Sequence, residues 1–183
     1  MAIAITVLAL AVLAWAVLTF NRLVRLRNQV RTAWADIDVQ LQRRHDLVPA
    51  LVAAVQGYAG HERAVLLAVT QLRAQALQVH RPAALAQVEL ALEQALGQLL
   101  ALREDYPDLK ANENFAQLQR DLVDVEDHLQ YARRFYNGAV RDYNTTLARV
   151  PDLAVARALA MREEEFFEAD PAHRAAVTVD LTP

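Results

Sequence analysis

A run of nineteen uncharged residues near the start of the sequence constrains the fold more than any other feature. Residues 2–20 read AIAITVLALAVLAWAVLTF. As a helix this run would be about 28 Å long, close to the roughly 30 Å hydrocarbon thickness of a bilayer. Trp15 and Phe20 lie towards its downstream end, where aromatic side chains suit a membrane interface. The sequence therefore predicts a single transmembrane anchor over residues 1–21.

The residues around this run bear on whether it is retained and how it is oriented. A cleaved secretory signal would open with a basic region, and no Lys or Arg precedes the run, although the small residues at 14–16 (AWA) keep cleavage as the alternative. Positive charge on the C-terminal side predicts a retained anchor with its N-terminus outside the cell membrane and the rest of the chain in the cytoplasm. Four arginines precede the first acid, Asp36: Arg22, Arg25, Arg27 and Arg31.

Composition excludes several classes of enzyme and ligand. The chain has no Cys and no Ser, so it lacks serine and cysteine nucleophiles, disulfides and thiolate metal ligands. A net charge of -3 gives no general attraction for nucleic-acid phosphate. The Glu-x-x-His motif of di-iron bundles is absent, and the His61-Glu62 pair lacks the second histidine of a zinc protease motif. The sequence predicts no catalytic residues, no metal, no cofactor and no nucleic-acid partner.

Apolar residues recur at every third or fourth position through the rest of the chain, which predicts helices. The two longest stretches would each be roughly 50 to 55 Å long, so they match for antiparallel packing. We therefore predict an all-α fold: the transmembrane helix continues into a long antiparallel up-and-down helical bundle over residues 22–169, followed by a flexible tail at 170–183. The periodic stretches cover residues 22–58, 61–80, 82–103 and 115–149.

Local signals suggest where helices bend, begin and end. Pro49 lies inside the first stretch and predicts either a kink or a restart of the helix with Asp46 as its N-cap. Asn114 and Gln117 resemble a capping box at the start of the last long helix. Residues 105–114 (DYPDLKANEN), which lead into this helix, have the composition of a loop.

A Tyr-Asn pair occurs twice, at Tyr136-Asn137 and Tyr143-Asn144. Seven residues are about two helical turns, so both tyrosines lie on the apolar stripe. They are predicted to be core residues whose hydroxyls reach a partner or solvent, and a ligand-gripping aromatic pair is the alternative. The asparagines lie beside the stripe, where their amides are expected to bond a facing helix, for instance at the carbonyls released by Pro49.

An acidic cluster follows the last long helix and contains Phe166 and Phe167 in its middle. The cluster can be interpreted as a solvated run of charge, and the two phenylalanines are expected to fold back onto the bundle. Its acidic members are Glu163, Glu164, Glu165, Glu168 and Asp170.

Two long segments resemble the signatures of the LemA family of bacterial membrane proteins. The first, residues 21–62, is NRLVRLRNQVRTAWADIDVQLQRRHDLVPALVAAVQGYAGHE, and the second, residues 106–144, is YPDLKANENFAQLQRDLVDVEDHLQYARRFYNGAVRDYN. Further on, Val150-Pro151 and Ala160-Met161 stand where the family usually has Phe-Pro and Gly-Phe, which leaves the packing of residues 150–183 open. The resemblance implies a single anchor carrying an antiparallel bundle, in a family with no established enzymatic activity.

The resemblance also marks positions that serve either the structure of the bundle or a binding surface. Arg43, Arg44 and Asp46 are expected to form a charged network near Pro49. If the network is buried, removing one partner would destabilise the fold, because it leaves another charge uncompensated. The matched positions are Trp34, Asp36, Asp38, Arg43, Arg44, Asp46, Pro49, Tyr136, Asn137, Tyr143 and Asn144.

Together these features predict a membrane-anchored helical scaffold or interaction protein that is not an enzyme. It would hold a protein partner near the membrane through the flank of the bundle or through the acidic cluster. One alternative is a structural protein that organises the membrane by self-assembly, which predicts large homo-oligomers. Another is a hydrolase with an unrecognised carboxylate site, for which the sequence offers only scattered Asp and Glu.

Overall fold

The structure, a computed structural model, describes residues 1–168, and all regular secondary structure in this range is helical. The all-α prediction is confirmed, while the tail predicted at 170–183 and Asp170 lie outside the described residues. The α-helices are α1 (Ala2–Gln56), α2 (Arg63–Ala76), α3 (Pro82–Ala101), α4 (Pro107–Lys110), α5 (Glu113–Ala148) and α6 (Asp152–Ala158), and a 3₁₀ turn covers Leu102–Glu104.

Helix α1 runs unbroken from the apolar segment into the rest of the chain. Among the described residues it is the one helix long and apolar enough to cross a membrane, and residues 2–14 are all exposed. It continues through Pro49, so a restart at Asp46 is wrong. Proline removes one hydrogen bond and crowds the preceding turn, but Val48 and Leu51 on either side of it are buried, and this packing supports the helix.

Contacts group the chain into two compact units, which are described separately. The first contains Met1–Asp46 and Arg120–Phe166, and the second contains Leu47–Gln119 and, among the described residues, Phe167 and Glu168. The single bundle predicted over residues 22–169 stays a prediction.

In the first unit, α1 and α5 run antiparallel. The centre of the Trp34 ring lies 5.3 Å from that of Tyr136, and Arg44 pairs with Glu126. Moving ten residues forward along α1 therefore corresponds to moving ten residues backward along α5. The predicted apolar stripes are buried along this contact, whereas Val150 at the end of the second stripe is 78% exposed. The buried members are Leu23, Val30, Ile37, Leu41, Leu122, Val125, Leu129, Ala132, Tyr136, Ala139, Tyr143 and Leu147.

In the second unit, α2 packs against α3. The turn that follows α1 is tied to the segment before α5, because the Asn112 amide donates to the Tyr58 hydroxyl (3.0 Å) and the Tyr106 hydroxyl donates to the Glu62 carboxylate (3.3 Å). The buried side chains of α2 and α3 include Leu66, Val69, Ala76, Leu85, Leu92, Leu96 and Leu99.

The segment expected to be a loop at residues 105–114 is partly helical. It contains α4, whose Leu109 is fully buried, and burial of this side chain explains why the turn is ordered as a helix. Helix α5 begins two residues earlier than the capping-box prediction requires. The side chain of Asn112 accepts the Phe115 backbone N–H at 2.9 Å, so Asn112 caps the helix and Asn114 lies within its first turn.

Candidate functional site

Two of the predicted positions on α5 bind the backbone of the acidic segment, which we define as residues 161–168. The Tyr136 hydroxyl donates to the Glu165 carbonyl at 2.7 Å. The side-chain amide of Asn144 donates to the Glu164 carbonyl at 2.9 Å and accepts the Glu164 N–H at 3.0 Å. An asparagine amide carries both a donor and an acceptor, so one side chain satisfies both backbone groups of Glu164. The expectation that Asn144 bonds carbonyls released at Pro49 is therefore wrong.

An ion pair with α1 adds little to this attachment. Arg27 Nε lies 3.2 Å from Glu164 Oε1, but both side chains are partly exposed (42% and 33%), and ion pairs of this kind contribute about 0–1 kcal/mol. Phe167 is buried and Phe166 is half-buried, as expected of residues that fold back onto the helices. Interpreting the cluster as a solvated run of charge is wrong for Glu164, since its backbone is bound and its side chain is half-buried.

The two tyrosines of the repeat are core residues, as predicted. Tyr136 is 2% exposed, and burial together with the charges of Glu164 and Glu165 raises its pKa to about 12. Tyr143 is fully buried, and burial raises its pKa as well. The hydroxyl of Tyr136 reaches a partner, whereas the Tyr143 hydroxyl makes no hydrogen bond to any of residues 1–168, so that part of the prediction holds for Tyr136 alone.

Arg44 is fully buried and pairs with Glu126 on α5. The charged network predicted around it is wrong. Asp46 instead accepts a hydrogen bond from Gln42 at 2.8 Å, and Arg43, which is exposed, donates to its own helix. Neighbouring residues on a helix point in different directions, so proximity in sequence did not bring these charges together.

The other matched positions lie mostly on the surface. Asp36, Asp38 and Pro49 are exposed, and Asn137 is half-buried. Trp34 packs at a tilt of 59° against Tyr136, which ties this tryptophan to the residue that binds the acidic segment.

A groove of about 330 Å³ opens on the flank of the α1–α5 pair, and we call it the flank groove. Its apolar side chains are unusually exposed: Val39 by 56%, Tyr131 by 68% and Phe135 by 52%. The guanidinium of Arg134 lies 4.7 Å from the centre of the Tyr131 ring. Clustered exposed aromatics beside an arginine are typical of protein-binding surfaces. The residues lining the groove are Asp36, Val39, Gln40, His128, Tyr131, Ala132 and Phe135.

Sequence reasoning identified Asp36 in this groove but missed Tyr131 and Phe135. These two aromatics are four residues apart, so they share a face of α5. That face is not the apolar stripe that contains Leu129 and Tyr136. Large aromatics placed off the buried stripe of an amphipathic helix are the signal that could have found them. Within residues 1–168, no cluster of three or more His, Asp or Glu side chains is arranged to hold a metal ion.

Comparison with known proteins gives both a family and distant relatives. Residues 33–181 match the model of the LemA family. The chain is 22% identical over 197 residues to "Magnetosome protein MamQ" of Magnetospirillum gryphiswaldense, covering 93% of this chain and 72% of that protein. It is 25% identical over 164 residues to "Protein LemA" of Metamycoplasma hominis, covering 88% of this chain and 74% of that protein. Neither name is that of an enzyme.

We expect Glu126→Gln to destabilise the protein by about 3 kcal/mol, because it removes a negatively charged partner of a fully buried guanidinium while keeping the shape of the side chain. The matched control is Asp127→Asn on the adjacent, exposed position, which should change stability by no more than about 0.5 kcal/mol. Denaturant unfolding of the full chain in detergent, followed by circular dichroism, measures both. Equal effects of the two substitutions would contradict this assignment.

We expect the raised pKa of Tyr136 to make the fold sensitive to alkaline pH. The unfolded chain loses this proton near pH 10 and the folded chain near pH 12, so the stabilisation is complete below pH 10 and is lost as pH rises to 12. Over that window the free energy of unfolding should fall about 1.4 kcal/mol per pH unit more steeply than in Tyr136→Phe. Denaturant unfolding at several pH values tests this, and parallel pH profiles for the two proteins would refute it.

Proposed function

The chain belongs to the LemA family, and we propose that it is a membrane-anchored helical scaffold that holds a protein partner at the flank groove. The observation that carries this proposal is the joint exposure of Val39, Tyr131 and Phe135 along one groove. We propose no catalytic activity for this protein. The features that support the proposed function are a binding surface and a helix suited to a membrane.

Membrane anchoring is supported by α1. Its first part is apolar, exposed and long enough to span a bilayer, and the same helix supplies one wall of the flank groove. The orientation we propose places the N-terminus outside and the groove in the cytoplasm. The arginines that directly follow the apolar segment support this orientation, because cytoplasmic flanks carry an excess of basic residues.

The chemistry of the flank groove suggests what its partner presents. Tyr131 and Phe135 offer apolar area at low cost in conformational entropy, which suits an apolar anchor residue of the partner. Asp36 and Gln40 border that area with acceptor oxygens. We therefore propose a partner segment with an apolar side chain flanked by a basic or hydrogen-bond-donating group.

The positions matched by the family resemblance divide between two proposed roles. Trp34, Arg44, Tyr136 and Asn144 act within the fold, because each contacts another element of the same unit. Asp36 acts in binding, because it is exposed at the flank groove.

Photo-crosslinking in cells tests the partner site. A photoreactive phenylalanine analogue replaces Phe135 in one variant and Val123 in a control variant. Both residues lie on α5 and are 52% exposed, so the control matches the helix and the exposure without the groove. We expect a discrete crosslinked product at Phe135, whose mass differs from that of a dimer of this chain, and no such product at Val123.

The outcome separates the proposal from self-assembly. Loss of the crosslinked product when Tyr131→Asp is added would support docking at the groove. Crosslinks that join only copies of this chain would overturn the proposal and favour a self-assembling structural protein. The same products at both positions would show that the groove has no special role.

Orientation is tested by thiol labelling, because the native chain has no cysteine. Leu67→Cys places a unique thiol on α2, where the side chain is 58% exposed, and Ala2→Cys places one at the N-terminal end of the apolar segment. We expect a membrane-impermeant maleimide to label position 67 only after lysis and position 2 in intact cells. Labelling of position 67 in intact cells would reverse the orientation, and absence of position 2 from the mature chain would indicate cleavage.

A further inference from the structure

Polar contacts attach helix α6 to the end of the apolar segment of α1. The Thr19 hydroxyl donates to the Asp152 carboxylate at 3.3 Å, and an Arg22 guanidinium nitrogen lies 3.7 Å from the other oxygen of that carboxylate. Thr19 and Asp152 are only 5% and 7% exposed. A buried carboxylate with a hydroxyl and a guanidinium beside it is compensated, so these contacts fix the first turn of α6 against α1.

Beside this attachment, α1 and α6 border a wide, open apolar groove of about 530 Å³, which we call the anchor groove. Its volume falls within the range of about 300–1,000 Å³ that is usual for small-molecule sites. No side chain in the lining carries a charge or a carboxylate, amide or hydroxyl group, so the groove has little with which to orient a polar ligand. The lining residues are Trp15, Ala16, Val17, Phe20, Ala154, Val155, Ala158 and Leu159.

The anchor groove is continuous with the surface that the apolar segment presents to its surroundings. Val17 and Phe20, which line it, are 50% and 41% exposed, and Leu159 on the α6 side is 48% exposed. Water is a poor environment for an apolar surface of this extent. A membrane around residues 2–20 would therefore also reach the mouth of the groove.

We propose that the anchor groove binds an acyl chain of a bilayer phospholipid, and that α6 lies in the membrane interface. The inference rests on the membrane insertion of α1 proposed above. Trp15 in the lining suits interfacial depth, where its ring meets both chains and headgroups. Arg22 follows the groove by two residues and is 53% exposed, which places a cation near the level of the lipid phosphates.

Spin-label accessibility tests the proposal on the full chain in vesicles of phosphatidylcholine and phosphatidylglycerol. Three single-cysteine variants are compared: Ala158→Cys in the anchor groove, Leu10→Cys within the apolar segment and Val123→Cys on α5. Frequent collision of the spin label with oxygen indicates that the label lies in lipid. Frequent collision with a water-soluble nickel chelate indicates that it lies in water. We expect the ratio of oxygen to nickel accessibility at position 158 to be several-fold higher than at position 123, and to approach that at position 10.

Each alternative result overturns the proposal in a distinguishable way. High nickel accessibility at position 158, with position 10 still in lipid, would show that the anchor inserts but the groove is filled by water. Low accessibility to both reagents at position 158 would show that protein covers the groove. High nickel accessibility at position 10 would refute membrane insertion itself, and with it the anchoring part of the proposed function.

Discussion

The ion pair between Arg44 and Glu126 lies within the contact of α1 and α5, where the guanidinium is excluded from water. Removing such a charge from water costs several kcal/mol unless its partner is correctly placed. Sliding one helix along the other would separate the pair and leave the guanidinium buried without Glu126, whereas apolar contacts alone would tolerate such a shift more readily. The pair thus favours one register, in which Trp34 meets Tyr136.

That register also positions the acidic segment. Tyr136 and Asn144 lie two turns apart on α5 and bind consecutive residues of the segment through its backbone. Backbone recognition depends on an extended chain and only weakly on which side chains that chain carries. These backbone contacts do not themselves require acidic side chains, and Arg27 adds a partly exposed ion pair to Glu164. One member of each Tyr-Asn pair, Tyr136 and Asn144, therefore attaches the chain to itself.

Local pattern in the sequence was sufficient for the helices and the buried stripes, since periodicity every three or four residues depends on helix geometry alone. Pro49 and Asn114 were harder, because burial of Val48 and Leu51 outweighs the proline and the true cap is Asn112. Contacts between distant residues, such as Arg44 with Glu126 and Asn144 with Glu164, depend on tertiary register. Spacing along one helix does not contain that information. The flank groove was missed for the same reason, since its walls come from two helices.

The continuity of α1 links the two proposed surfaces mechanically. The helix has no glycine between Ala2 and Gln56, so it contains no residue of high backbone flexibility along its length. Val39 follows the end of the apolar segment by a stretch of helix roughly 28 Å long, at about 1.5 Å per residue. A flexible linker of the same number of residues would let a bound partner sample many heights above the membrane. A continuous helix instead sets a single distance along its axis between the anchor groove and the flank groove. The scaffold that we propose would therefore set how far from the bilayer its partner is held as well as whether the partner is bound.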